Sequence, residues 1–268
     1  MSEFSRSCAN YSQKAVEAGF AFLFYWLFRA LPIDISSGLG GWLARNIGPK
    51  LKVSMVAQKN LKRAFPEITP QDLQRTIHEM WDNLGRVVGE YPHLPILLKK
   101  GVSQRIEIIG AEHIDALRDD NKPGIFFMAH MGNWEFSGLA SEARNLPVDR
   151  VYRQANNPLT EWLLKRGRAS VDGALIPKGR AGAKKIIKSL KSGNHLAMLV
   201  DQKMNDGISV PFFGIEAMTA PAIAQLALRF DCPVVPVRVK RLNGAYFQVI
   251  VKPPLSFSPS GDPKPDIY

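Results

Sequence analysis

His130 and Glu135 stand five positions apart in the stretch Gly124–Ser137, GIFFMAHMGNWEFS. A carboxylate that accepts one imidazole N–H fixes the ring's tautomer and stabilises its protonated form. The other ring nitrogen can then take a proton from a hydroxyl. On a regular helix, residues five apart are separated by about 140° and share no face. The two can therefore meet only if His130 precedes a helix and Glu135, in its first turns, reaches back. The alternative is a half-buried histidine and an ordinary first-turn glutamate stabilised by the helix dipole.

Other groups are placed for chemistry less specifically. Arg153, in Tyr152-Arg153-Gln154-Ala155-Asn156-Asn157-Pro158, stands beside a turn. A guanidinium there suits phosphate recognition or developing negative charge, and equally an idle surface loop. Asp201-Gln202 follows the apolar His195–Val200 and brings a carboxylate towards the edge that carries His130; a cap or salt bridge would use the same residue. Pro211-Phe212-Phe213-Gly214 could line an apolar channel or anchor a loop. Gly179–Lys185 lacks the Gly-x4-Gly-Lys-Ser/Thr pattern of a nucleotide loop, although a positive helix start could meet a lipid phosphate or an acidic carrier. Ser137 lies in no Gly-x-Ser-x-Gly elbow, which argues against an α/β-hydrolase. The five histidines have no ligand spacing and there is no Cys-x-x-Cys, so no metal site is expected. Cys8 and Cys232 stand alone, which fits a reducing, cytoplasm-facing setting.

The elements that must position these groups alternate. Ile125–Met128 reads as a short buried strand that hands over at His130 to a helix running towards Arg144. Strands are expected at Arg105–Ile109, Val148–Arg153, Ala174–Ile176 and His195–Val200. Pro233–Arg241 and Ala245–Lys252 are two more, joined by an Asn243-Gly244 turn. Helices are expected at Ala111–Arg118, Pro158–Arg168, Ala181–Lys191 and Ala220–Phe230. This alternation predicts an α/β fold with a mixed, largely parallel sheet flanked by helices. Upstream, Ser36–Asn46, the basic amphipathic Lys50–Phe65 and a long helix from Pro70 to Glu90 form a helical layer. Thr69 is the expected cap of the last of these, with Pro70 in its first turn.

Ala15–Leu31 carries the densest aromatic run and is uncharged between Glu17 and Arg29, short for spanning ~30 Å of hydrocarbon. Aromatics on all sides favour a membrane-anchoring helix, dipped in or marginally spanning, over a core helix or a signal peptide. The expected organisation is an anchor over 1–34, a helical layer over 35–100 and an α/β core over 101–268, with 35–268 one compact domain. A formal charge of +11 on 268 residues points to anionic partners. The basic residues come in small groups without nucleic-acid-binding aromatic motifs, which makes nucleic acid the weaker partner.

The wording around the pair, Ala129-His130-Met131-Gly132-Asn133-Trp134-Glu135, resembles the His-x4-Asp/Glu motif of the glycerolipid acyltransferase superfamily. More closely, it resembles the late acyltransferases of lipid A biosynthesis, the lauroyl- and myristoyl-type enzymes that use acyl carrier protein thioesters. Many members have Asn where this chain has Ala129. The Tyr152-Arg153 block and the Asp201-Gln202…Pro211-Phe212-Phe213-Gly214 block follow in the family's order. The resemblance implies a glycerolipid-acyltransferase-like fold and transfer of an acyl chain to a hydroxyl of a phosphorylated lipid A precursor. It places the enzyme at the cytoplasmic face of the inner membrane of a Gram-negative bacterium and implies no cofactor. His130 would be the general base, oriented by Glu135. Arg153 would hold a phosphate or stabilise the oxyanion, with Asn157, Asp201 and Gln202 as substrate-binding residues, Asp201 orienting Arg153 or the substrate. A lysophospholipid or other glycolipid acceptor with an acyl-CoA donor, and a lipid-binding protein without turnover, remain as alternatives. Members usually continue beyond Tyr268 into a terminal helix, so a truncated C-terminus is expected.

Overall fold

The computed structural model describes residues 3–99, 104–257, 260 and 267. Most of the tail in which a terminal helix was expected lies outside them. The β-branched and aromatic runs form a seven-stranded sheet. Its strands are β1 (Ile106–Ile109), β2 (Ile125–Met128), β3 (Val148–Tyr152), β4 (Leu175–Pro177), β5 (His195–Leu199), β8 (Val234–Arg241) and β9 (Phe247–Val251). The spatial order is β1-β9-β8-β2-β5-β3-β4, parallel throughout except for the β8–β9 hairpin, as expected for a mixed, largely parallel sheet. Gly244, at φ +50°, serves the Asn-Gly turn of that hairpin.

Alternate side chains of each strand enter two cores. Phe126 and Met128 of β2 join Phe136, Leu139 and Ala140 of α7 (Phe136–Ala143) and Ile114 and Leu117 of α6 (Ala111–Asp119). Ile125 of β2 and Leu196 and Met198 of β5 face Leu190 of α9 (Arg180–Lys191) and Ile223 and Leu226 of α10 (Ala222–Phe230). This burial on both faces accounts for the continuous apolar runs of the central strands.

The upstream helices lie over the carboxyl-terminal edge of the sheet. They are α1 (Glu3–Ala30), α2 (Ile33–Ile47), α3 (Ser54–Ala64) and α4 (Pro70–Glu90). In α4 the expected cap is present: the Asp72 N–H donates to Thr69 Oγ1 at 3.1 Å, with Pro70 in the first turn. Helices α2 and α4 cross so closely that a Cβ at Gly85 would lie 2.1 Å from the Gly40 carbonyl oxygen. Among the described residues no helix is long and apolar enough to cross a membrane. Instead α1 packs one face on the body, burying Ala18, Tyr25 and Phe28, while Phe20, Leu23 and Trp26 face outward. Phe22 stacks on Trp162 of α8 (Pro158–Arg168), and His93 Nε2 lies 2.9 Å from the Phe28 carbonyl oxygen.

Two elements went unread in the sequence. Leu94–Lys99 is a short helix, α5, and Ile208–Phe212 with Ile215–Thr219 form a separate antiparallel hairpin, β6–β7. Pro211 hides the hairpin, because proline demotes a strand reading. A two-stranded ribbon has free edges on which a missing N–H is tolerated.

Candidate active site

Strand register decides what His130 meets. Strands β2 and β5 are parallel neighbours with Met128 opposite Leu199. Two residues further along each chain, His130 comes opposite Asp201. The carboxylate binds it twice: Oδ1 lies 2.7 Å from the ring Nδ1, and Oδ2 accepts the His130 backbone N–H at 2.9 Å. Burial pushes the Asp201 carboxyl upward, but the hydrogen bonds from the His130 amide and ring outweigh it, and the net displacement is below the usual carboxylate value. An ionised Asp201 holds the proton on Nδ1 and leaves Nε2 as the basic nitrogen. The edge of the Trp134 ring system packs at 68° to the imidazole, with centroids 4.8 Å apart.

The partner expected for His130 is therefore corrected: it is Asp201, not Glu135. Glu135 stands at the position just before α7, where its side chain makes no capping bond, and both of its oxygens are taken by Arg168 at the end of α8. The side chains of this pair are 10% and 16% exposed. Burial works against the Arg168 charge, and the Glu135 hydrogen bonds more than restore it. Arg168 also lies 5.6 Å from the Tyr152 ring centroid, and Tyr152 donates to Glu161 at 2.6 Å. Burial and that carboxylate push the Tyr152 phenol up to about 12, which keeps it a donor. Arg168 had no signal in the sequence beyond a basic last turn.

The expected role of Asp201 in orienting Arg153 is likewise corrected, since its oxygens are spent on His130. Arg153 follows β3 directly and is exposed, with no partner among the described residues. Tyr152 pairs with Pro177, so the next residues, Arg153 and Lys178, emerge side by side; the Lys178 N–H donates to the Tyr152 carbonyl at 2.8 Å. In sheet order the strand ends thus present His130, Asp201, Arg153 and Lys178, with Arg153 about 10 Å from His130 at ~4.8 Å per strand. Lys178 was missed because its neighbour is set by strand order, which local sequence does not encode. Asn157 plays a structural part: its Oδ1 caps α8 through the Leu159 N–H, its Nδ2 donates to the Lys14 carbonyl at 2.7 Å, and it does not line the cavity below.

His130, Glu135, Arg153, Lys178 and Gln202 open onto one cavity of about 730 Å³. Its interior is apolar, walled by Phe24 and Phe28 of α1, Leu43 of α2 and Trp81 and Leu84 of α4. The volume falls within the 300–1,000 Å³ typical of small-molecule sites, and the arrangement of an apolar interior with a few convergent polar groups is theirs too. Phe212 and Phe213 do not line it, so the structure does not make them part of an acyl channel.

The loop that carries His130 is tied to the helices above it. Gly132 sits at φ +57°, and a Cβ there would lie 2.4 Å from the Val239 carbonyl oxygen, so the turn needs glycine. Asn83 of α4 donates to the Gly132 carbonyl at 2.9 Å. Glu90, fully buried at the end of α4, accepts from Asn133 Nδ2 at 2.7 Å, from Ser37 at 2.6 Å and from the Arg241 guanidinium. Four segments distant in sequence meet at this one carboxylate.

The sequence profile described as bacterial lipid A biosynthesis acyltransferase matches residues 2–266. A lipid A biosynthesis acyltransferase of Haemophilus influenzae is 27% identical over 240 residues, covering 88% of this chain and 75% of that protein. A lipid A biosynthesis lauroyltransferase of Escherichia coli is 26% identical, covering 88% and 78%. The palmitoleoyltransferase of the same species is 27% identical, covering 71% and 62%. Among solved structures, the 1-acyl-sn-glycerophosphate acyltransferase of Thermotoga maritima aligns over 87% of this chain and 92% of its own, at 12% identity and a TM-score of 0.38. With the profile matched across nearly its whole length, the chain belongs to the bacterial lipid A biosynthesis acyltransferase family.

Proposed function

We propose that this chain moves a fatty acyl group from an acyl carrier protein thioester to a hydroxyl of a phosphorylated lipid A precursor by direct attack. The observation that carries the reading is the cavity of about 730 Å³ in which an oriented histidine adjoins an apolar interior. His130 Nε2 takes the proton of the acceptor hydroxyl while Asp201 stabilises the imidazolium. The alkoxide oxygen bonds to the thioester carbonyl carbon, and collapse of the tetrahedral intermediate breaks the C–S bond. The departing thiolate recovers the proton from His130, so the products are an ester and a free carrier thiol. Arg153 and Lys178 supply positive charge at the mouth for an acceptor phosphate or the developing oxyanion. Glu135 supports the site through Arg168. The exposed aromatics of α1 rest in the interface of the inner membrane on its cytoplasmic side.

The test is acyl transfer by the purified chain and its His130→Ala variant, with acyl carrier thioester and lipid A precursor. General-base assistance contributes typically 10²–10⁴-fold, and a loss of that size is expected. Transfer at the wild-type rate by the variant refutes the mechanism. Mass spectrometry of lipid A from a deletion strain checks the acceptor: a missing secondary acyl chain is expected, and intact lipid A with altered phospholipids assigns a different acceptor.

A further inference from the structure

The β6–β7 hairpin projects from the site, leaving β5 just after Asp201; the Met204 N–H donates to the Met218 carbonyl at its base. Directly opposed residues of an antiparallel pair share a face. The register therefore puts Ile208, Val210 and Phe212 on one face with Thr219, Ala217 and Ile215. Glu216 lies on the other, opposite Pro211, where its carboxylate accepts from Ser209. At the tip Phe212 is 65% and Phe213 55% exposed, and the two rings meet edge to face at 4.7 Å. Phe213 also packs on the exposed Phe65, which ends α3, at 5.3 Å. Isolated two-stranded ribbons are marginal in water, and an apolar tip of this kind raises the cost of leaving it there.

The surroundings identify what covers it. Helix α3 carries Lys59, Lys62 and Arg63, all exposed, and has no acidic residue. Its exposed apolar side chains, Met55 and Val56, are accompanied by exposed Leu51 and Ile47 just upstream. A second copy would bring the same positive face against itself, on a chain of net charge +11, whereas an anionic bilayer offers both hydrocarbon and negative charge.

We propose that the hairpin tip, Phe212, Phe213 and Ile215 joined to Phe65, is a lipid-insertion wedge that docks the catalytic edge against an anionic membrane, with Lys59, Lys62 and Arg63 on its headgroups. Because the hairpin roots beside Asp201, insertion holds the cavity mouth at the depth where an acceptor headgroup lies. The wedge rests on the acyl-transfer reading for its purpose alone. Its test uses no donor or acceptor, so the two readings fail separately.

The full-length chain is compared with a Phe212→Ser/Phe213→Asn variant; asparagine accepts the positive φ at position 213. Both are sedimented with vesicles of phosphatidylethanolamine and phosphatidylglycerol, and melting curves verify folding. Partition is expected to fall about tenfold or more in the variant, with wild-type binding weakened in neutral phosphatidylcholine and at high salt. A polarity-sensitive fluorophore attached at position 213 of a C8S/F213C variant, which keeps Phe212, is expected to shift to the blue on vesicle addition. Unchanged partition, or a fluorophore that stays in water, overturns the wedge. A vesicle-free dimer that the double substitution dissolves also overturns it and assigns the tip to self-association.

Discussion

The carboxylate of Asp201 holds His130 at two points, the ring Nδ1 and the backbone N–H, from the end of the neighbouring strand. An asparagine there keeps one acceptor for the amide and turns an N–H towards Nδ1, which forces the proton onto Nε2 and removes the base. Asp201→Asn is expected to lower kcat by about 10²–10³ with little change in KM, since general-base assistance is worth 10²–10⁴. The sign of the pH dependence follows from the lowered Asp201 value. Its stabilising contribution is present above the ordinary carboxylate range and is lost as pH falls through the folded value, so the pair stays intact at pH 5. A wild-type thermal melt that loses an Asp201-dependent increment between pH 7 and 5 contradicts this.

Glu135 and Arg168 form a second, separate pair that serves structure. Removing one member of a buried ion pair strands the other and costs about 3–5 kcal/mol. Glu135→Gln and Arg168→Gln are each expected to lower the melting temperature markedly, and the double variant no further than either single. A double-mutant cycle should return a coupling of at least about 2 kcal/mol. Additive effects refute the pairing. Asp201→Asn, by contrast, should lower the melt at pH 7 only slightly, because solvent screens a pair that is 27% and 35% exposed.

These two pairs show what the sequence made legible. Strand β2, the turn after His130 and the long helix capped by Thr69 are local: apolar run, glycine and cap are written side by side. The same holds for the alternation that gives the α/β class. The partner of His130 is not local, because it depends on β5 inserting between β2 and β3, and no single segment records strand order. Spacing drew attention to Glu135, five residues away, when register brings Asp201. Lys178 beside Arg153 was hidden for the same reason, and Arg168 because a basic residue in a last helical turn is common.

Asn133 is the link between the catalytic loop and the buried carboxylate of Glu90. Asn133→Ala leaves Glu90 bonded to Ser37 and Arg241, so the fold should lose only about 1–3 kcal/mol for one buried hydrogen bond. The loop between His130 and Glu135 loses its tether, including the Asn133 Oδ1 contact to the Glu135 N–H. A fall in kcat of about tenfold at nearly constant KM is expected, because misplacing a reacting group costs rate before binding. A change confined to KM indicates that Asn133 touches substrate.

The cavity makes a prediction about chain length. Ala21 of α1 lines it beside Phe24 and Phe28, where a larger side chain intrudes on the apolar interior. Each methylene excluded from burial forfeits about 0.8 kcal/mol, so two cost about 1.6 kcal/mol, somewhat over tenfold in rate. Ala21→Phe should therefore leave transfer of short acyl chains close to wild type and depress that of longer ones, moving the optimum down by two or more carbons. Competition between carrier thioesters of mixed chain length in a single reaction, read by mass spectrometry of the product, measures the shift. An unchanged profile in a folded variant places the acyl chain outside this cavity, and with it the donor, because His130 and the apolar interior belong to one space.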